Sequence, residues 1–263
     1  MNGTKTGEAG TRRLIPLPSE PMYLLAIVMI AFAVAMCAAA DFGVSMIVAP
    51  AYVLSLKFTF LTFGQWEYVL QATLFIAFCI LMRKFRPVYL FSFFSCVLYG
   101  LVLDFFRTVI PFLNPAVTPP GSMSWPARIA LFAGGNLITA VAVAIFTSSY
   151  LYPQVYDFFV IGLTTRYRLP FTRFKVIYDL SFLAVGIALS LILFHGFNGI
   201  GVGTVVIALL NGFVIGLFSK LLRRFFVFKP LFPKVAALFR LDGPPAGGEE
   251  SRKEQPESST THE

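Results

Sequence analysis

The segment DFGVSMIVAPAYVLSLKFTFLTFG, residues 41–64, decides how the rest of the chain is interpreted. Its apolar core, Gly43 to Leu56, is shorter than the roughly 20 residues that a helix needs to cross a bilayer, and Pro50 interrupts it. Long apolar runs flank the segment on both sides. We therefore expect it to dip into a membrane protein from one face as a broken, half-length helix.

A second interrupted segment, Tyr150 to Arg173, occupies the corresponding place when the chain is aligned to itself with an offset of 108 positions. Pro153, Asp157 and Gly162 break its aromatic and aliphatic pattern. Two short segments broken by proline or glycine in matching halves indicate an inverted-repeat transport fold. Whether residues 43–56 and 151–165 are re-entrant or interfacial stays open at this point.

The composition places the chain among integral membrane proteins. Hydrophobic residues make up 57% and charged residues 13%, against roughly 25% charged residues in soluble domains. The net charge of +8 comes from small basic clusters at the ends of apolar runs, which fits a bilayer surface and not nucleic acid. The three cysteines fall inside apolar runs and are expected to be buried and unpaired.

Six apolar runs are long enough to span a membrane, so the predicted fold class is an all-α polytopic protein with six transmembrane helices and two interrupted re-entrant segments in an inverted repeat. The predicted spans are Met22–Ala40, Gln65–Met82, Val88–Phe106, Ala127–Ser149, Phe174–Phe194 and Val202–Leu222. The predicted domains are an N-terminal tail (1–20), a first membrane repeat (21–106), a Pro-rich linker (107–126), a second repeat (127–224) and a largely disordered C-terminal tail (225–263).

The distribution of Lys and Arg predicts the orientation. With both termini in the cytoplasm, 18 of the 21 basic residues lie inside, and only Lys57, Arg107 and Arg128 lie outside. Three spans per half then give the two halves opposite orientations. The 107–126 linker is accordingly expected to be extracytoplasmic.

Short motifs occur in matching order in the two halves. They are Leu61-Thr62-Phe63-Gly64, the spacing of Asp157 from Gly162-Leu163, Gly201-Val202-Gly203-Thr204, Leu210-Asn211-Gly212 and Gly216-Leu217-Phe218. Through these motifs the chain resembles the YitT/YczE-type family of bacterial integral membrane proteins over nearly all of its hydrophobic part. The resemblance implies two copies of a three-helix unit in a bacterial plasma membrane, and no settled substrate. The first half departs from the pattern, with Ala49 where the second half has Asp157.

Polar residues inside spans are the candidates for chemistry, because each is costly in hydrocarbon. Asp157 and Asp179 are predicted transport or ligand residues, with pairing to nearby Lys and Arg as the structural alternative. Asn136 and Asn211 can bind a ligand or pack helices, and Gly203 and Thr204 can offer backbone amides to an anion or form a tight turn. The remaining acids, Asp41, Glu67 and Asp104, are expected near the outer boundary, in reach of water.

The predicted function is that of a small secondary transporter or permease for an unknown small solute, embedded in the lipid bilayer. A substrate-capture subunit that needs an energising partner, and a non-transporting scaffold or regulator, are the alternatives. No metal-ligand spacing and no hydrolase, protease or ATPase motif occurs in the sequence, so we expect no enzyme activity, metal or cofactor. Assembly into a homo-oligomer is left open.

Overall fold

The computed structural model of the chain describes residues 15–83 and 85–232. Most of these residues are helical, and six helices are long and apolar enough to cross a membrane, as predicted. The helices are α1 (Ser19–Ala40), α2 (Ala49–Lys57), α3 (Phe63–Met82), α4 (Leu90–Val109), α5 (Trp125–Ser148), α6 (Val155–Tyr167), α7 (Phe171–Phe194) and α8 (Val202–Phe225). A short 3₁₀ turn, Pro87–Tyr89, precedes α4.

Because consecutive spanning helices alternate in direction, their ends define two faces. The first face holds the ends of α1, α4 and α7 and the beginnings of α3, α5 and α8. The second face holds the beginnings of α1, α4 and α7 and the ends of α3, α5 and α8. On the first face, Arg128 at the start of α5 donates a hydrogen bond to Ala40 O at 2.8 Å, which joins two of these ends.

The helix starts follow from local chemistry. Thr62 and Gln65 form a reciprocal cap at the start of α3: Thr62 Oγ1 accepts from Gln65 N at 3.2 Å, and Thr62 N donates to Gln65 Oε1 at 2.9 Å. The helix thus begins two residues before the predicted Gln65. Pro50 lies in the first turn of α2, where its missing N–H costs nothing, so it starts this helix and does not interrupt one.

Helices α2 and α6 are too short to span a bilayer. Their 9 and 13 residues correspond to about 14 and about 20 Å of helix, against about 30 Å of hydrocarbon. α2 packs on α3 and α7, and α6 packs on α3, α4 and α7. α6 begins beside the interior of α3 and ends near the second face, where Tyr167 OH donates to Leu81 O at 2.8 Å.

The spanning helices pack unevenly. α1 and α5 form the most extensive helix pair; a Cβ atom on Gly135 would lie 2.9 Å from Ala33 O, so this glycine permits the close approach. α4 packs on α1, and α8 packs on α5. α3 packs closely along α4, whereas the described residues of α7 and α8 make little contact with each other.

Two short strands depart from the predicted all-α fold. β1 (Ile15–Pro18) pairs in parallel with β2 (Phe226–Lys229), so residues assigned to the two tails form a small sheet at the second face. The Glu20 carboxylate extends this connection by accepting hydrogen bonds from Leu231 N at 2.9 Å and Phe232 N at 3.1 Å. Four-residue strands leave too short a pattern to recognise in a sequence. The remainder of both predicted tails lies outside the described residues.

Candidate functional site

Glu67 on α3 is fully buried, with 0% of its surface exposed. Its Oε2 accepts hydrogen bonds from Tyr156 OH at 3.0 Å and Gln71 Nε2 at 3.3 Å, and its Oε1 has no partner. Within residues 15–83 and 85–232, no lysine, arginine or histidine forms an ion pair with it. A buried carboxyl group without a cation is costly, and such groups inside membrane proteins mark functional positions.

Further unpaired polar atoms surround this carboxyl group. Tyr99 on α4 is buried beside Glu67 and interacts with it electrostatically, and its hydroxyl has no partner. Gln71 is likewise 0% exposed, and its Oε1 is unpaired. We call Glu67, Gln71, Tyr99 and Tyr156 the Glu67 cluster. Its unused donors and acceptors are able to bind a proton, a cation or a small polar group.

The cluster is assembled by helix geometry and by a long-range contact. Phe63, Glu67 and Gln71 recur every four residues, so they lie along one face of α3. Glu67 and Gln71 lie about 6 and about 12 Å along the helix axis from Phe63 at 1.5 Å per residue. Tyr156, 89 positions later in sequence, completes the cluster from the first turn of α6.

Aromatic side chains close the cluster on both sides. Toward the first face, the rings of Tyr52 and Phe63 are 5.0 Å apart, and both residues are at most 2% exposed. Toward the second face, Tyr178 stacks on Phe159 at 5.5 Å and contacts Phe182 at 4.9 Å. We call these the first and second aromatic layers. By their positions along the helices, the two layers lie between the cluster and the two faces of the protein.

The predicted residues Asp157 and Asp179 follow Tyr156 and Tyr178 directly in the sequence, so they lie level with the second aromatic layer, and both pair with Lys175. Lys175 Nζ is 2.9 Å from Asp157 Oδ1 and 3.1 Å from Asp179 Oδ1. This geometry fits the structural alternative, in which a basic residue pairs with the two aspartates: Lys175 of α7 joins Asp157 of α6 to Asp179 of α7. A transport role for the two aspartates stays a prediction.

Replacing Lys175 with methionine is expected to lower the free energy of unfolding by about 1–2 kcal/mol, because two carboxylates would then face each other without a cation. The loss is smaller than for a fully buried pair since the Asp157 side chain is 47% exposed. Thermal unfolding in detergent measures it, with Lys175→Arg as the charge-conserving control. An unchanged melting temperature for Lys175→Met would rule out a structural role for this pairing.

The other predicted residues lie apart from the Glu67 cluster, and a ligand role for them stays a prediction. Asn136 Nδ2 donates to Phe132 O of its own helix at 2.8 Å, while Asn211 has no hydrogen-bond partner in the described part of the chain. Gly203 N donates to Phe42 O and Thr204 Oγ1 donates to Val44 O, both at 2.8 Å, which docks the start of α8 onto the segment after α1. No hydrogen bond described here joins Asn136, Asn211, Gly203 or Thr204 to the Glu67 cluster.

The expectation that Glu67 lies in reach of water was wrong. It is near the start of α3, as its position in the sequence suggests, but Tyr156 and Tyr99 cover it. Asp41, by contrast, is exposed near Arg128, and partial burial raises its pKa above the ordinary value while Arg128 opposes the shift. The signal for Glu67 in the sequence was the spacing of Glu67 and Gln71, which puts two polar side chains on one helix face inside an apolar run.

The fold and the cluster together define a polytopic helical membrane protein with a polar centre shielded by aromatic layers. The chain belongs to a family of unknown function, DUF6198, whose model matches residues 18–220. That range covers all of the spanning helices apart from the last turn of α8. Neither the curated proteins nor the solved structures contain a match. The resemblance to the YitT/YczE-type family stays a prediction.

Proposed function

We propose that this chain is a small secondary transporter of a bacterial plasma membrane, with Glu67 as the group that binds and releases a proton during transport. The observation that carries the proposal is the fully buried Glu67 carboxyl group, whose Oε1 is unpaired, between two aromatic layers. Proton relays in membrane transporters use such intramembrane acidic groups. The distribution of basic residues supports an outer first face and both termini in the cytoplasm.

The packing pattern supports an inverted repeat of α1–α4 and α5–α8. Exchanging the two halves maps the contact of α1 with α4 onto that of α5 with α8, and the contact of α2 with α7 onto that of α6 with α3. It also maps the contact of α2 with α3 onto that of α6 with α7, and it leaves the central pair of α1 and α5 unchanged. In this arrangement α2 and α6 are re-entrant half-helices. Ala49, at the start of α2, lies 3.2 Å from where a Cβ atom on Gly186 would be. Gly186 is in the interior of α7, so α2 begins at that depth. Each half-helix therefore places one aromatic layer: Tyr52 on α2 in the first, Phe159 on α6 in the second.

A proton would reach Glu67 from outside when the first aromatic layer opens and leave when the second layer opens. Tyr156 belongs to α6 and donates to Glu67, so any shift of α6 against α3 changes the environment of the carboxyl group. The solute would follow the same path. Alternating access of this kind requires only small movements of two short helices against a fixed α1–α5 core.

Cys96 offers a native test, because it is 0% exposed and interacts electrostatically with Glu67. A variant with Cys37→Ala and Cys79→Ala keeps Cys96 as its only cysteine. We expect a membrane-impermeant cationic thiol reagent to label Cys96 from either face of oriented vesicles, with the preferred face changing between acidic and neutral pH. The control keeps only Cys37, which is 5% exposed, packs on Gly135 and, unlike Cys96, has no electrostatic interaction with Glu67 itself; the face from which it is labelled should not change with pH.

The other outcomes favour the alternatives. Labelling of Cys96 from the outer face alone, at every pH, would indicate a substrate-capture subunit that depends on an energising partner. No labelling from either face would contradict an aqueous path to the Glu67 cluster. A scaffold or regulator would then be the better interpretation.

A further inference from the structure

Arg107, in the last turn of α4, is a cation with unused hydrogen-bond donors above the first aromatic layer. Its guanidinium carbon is 5.2 Å from the centre of the Phe63 ring and 6.0 Å from that of Tyr52. Its Nε is buried without a partner, and no carboxylate pairs with the guanidinium in the part of the chain that the structure describes. A partly buried guanidinium in this state is open to an anion from outside the chain.

The nearest acid does not satisfy Arg107. Asp104 is one helical turn away and interacts with it electrostatically, but the Asp104 carboxylate is occupied at the start of α3. Its Oδ1 accepts from Gly64 N at 2.9 Å, and its Oδ2 accepts from Thr62 Oγ1. The Asp104 carboxylate therefore partly offsets the positive charge of Arg107 but accepts no hydrogen bond from its guanidinium group. A single arginine partly offset in this way suits a monoanion better than a dianion.

The other two basic residues of the first face differ from Arg107. Arg128 uses its donors on Ala40 O and on Asp41, at 2.8 and 2.9 Å. Lys57 is exposed beside the Phe194 ring, at 5.5 Å. Only Arg107 combines partial burial, an aromatic floor and unused donors among these three.

We propose that Arg107 binds the carboxylate of a small organic monocarboxylic acid, and that this acid is the transported solute. The inference rests on the proposed function. A guanidinium presents two parallel N–H groups to one carboxylate. The Phe63 and Tyr52 rings are at most 2% exposed, so they would contact the rest of the molecule once the first aromatic layer opens. Phe63 precedes Glu67 by one helical turn on the same face of α3. A monocarboxylate and the proton on Glu67 would together cross the membrane with no net charge.

The test uses the purified full-length chain in detergent, with acetate, butyrate and benzoate as probes and the matching neutral amides as controls. Ligands that bind the folded protein stabilise it by RT ln(1 + c/Kd), where c is the free ligand concentration, so its melting temperature rises with ligand concentration above Kd. We expect at least one carboxylate to stabilise the protein while its amide does not. Arg107→Gln is expected to weaken that carboxylate roughly 10- to 100-fold, the loss of one charge-assisted pair, and Arg107→Lys should weaken it less.

A matched variant and the Cys96 labelling separate this inference from the proposed function. Lys57→Gln removes another cation of the same face and should leave carboxylate binding unchanged. One combination of results would support the anion site and contradict transport. In that case carboxylate binding depends on Arg107, but Cys96 is not labelled from either face.

Other results would overturn the anion site itself. If no carboxylate is distinguished from its amide, or if binding is the same in Arg107→Lys and Arg107→Gln as in the parent, Arg107 does not recognise a monocarboxylate. If Cys96 is nevertheless labelled from both faces, the transport proposal is retained, but the solute is not a monocarboxylate bound by Arg107. The comparison of acid with amide in the unaltered chain needs no variant, so poor folding of Arg107→Gln does not prevent a decision.

Discussion

Gly100→Val is expected to abolish folded protein, whereas Gly212→Val is expected to leave it intact. In the predicted repeat, Leu98-Tyr99-Gly100 of the first half corresponds to Leu210-Asn211-Gly212 of the second, yet the surroundings of the two glycines differ. A Cβ atom on Gly100 would lie 2.8 Å from Gly64 O and would also overlap the Tyr68 ring, because α3 and α4 cross here. A Cβ atom on Gly212 would meet nothing within 4 Å.

The physical reason is that a backbone carbonyl in a packed helix cannot move aside as a flexible side chain can. Overpacking usually costs about 1–3 kcal/mol, and separation of two helices along a shared face should cost about 3 kcal/mol or more. Size-exclusion chromatography of the detergent-solubilised protein and its melting temperature measure the effect. Gly100→Ala is the graded variant and should be impaired less. If Gly100→Val and Gly212→Val reduce folded protein and melting temperature equally, α8 must pack at Gly212 against another molecule and not against this chain.

The triple change Glu67→Leu, Gln71→Leu and Tyr156→Phe is expected to raise the melting temperature while removing transport. Leucine at position 67 has a similar size, and the other two changes remove the Gln71 amide and the Tyr156 hydroxyl that Glu67→Leu alone would leave without an acceptor. The desolvation cost of the buried polar groups, about 1–3 kcal/mol each, is thereby removed. The triple change also removes the proton-binding group. Stability gained where function is lost is the pattern expected for a residue kept for its chemistry.

Tyr156→Phe is the companion variant and should have the opposite effect on stability. It removes the hydroxyl that donates to Glu67 Oε2 at 3.0 Å, and leaves the carboxyl group with Gln71 alone. Thermal unfolding of both variants, together with labelling of Cys96, measures the two consequences. A large drop in melting temperature for the triple variant would identify the Glu67 cluster as structural and contradict the proposed role of Glu67.

The number of membrane-crossing helices was predictable because hydropathy is a local property. Each span is recognised by about 20 consecutive apolar residues, whatever packs against it, and the six predicted runs correspond to the six long helices. Pro50 and Pro153 likewise indicated where the short helices α2 and α6 begin. The expected breaks at Asp157 and Gly162 were wrong, because α6 runs continuously through both residues. The boundaries shifted by a few residues where side chains cap the helix, as Thr62 does for α3.

The site was only partly predictable, because burial of a polar group depends on residues far away in sequence. Glu67 is shielded by Tyr156, 89 positions later, and nothing near Glu67 in the chain announces that contact. Lys175 lies between two aspartates for the same reason: Asp179 is one turn away on α7, but Asp157 comes from α6. The sequence showed which residues share one face of a helix, but it did not show which other helix packs against that face.

The sequence by itself therefore determined the class of protein, the number of spans and the position of the two broken segments, since these follow from the cost of transferring each segment into hydrocarbon. The tertiary structure alone decided which acid is buried without a cation, which arginine keeps free donors, and that α3 packs on α4 while α7 stands apart from α8. Those features are set by contacts between helices. Such contacts depend on the shape and polarity of two surfaces at once, which no single stretch of residues specifies.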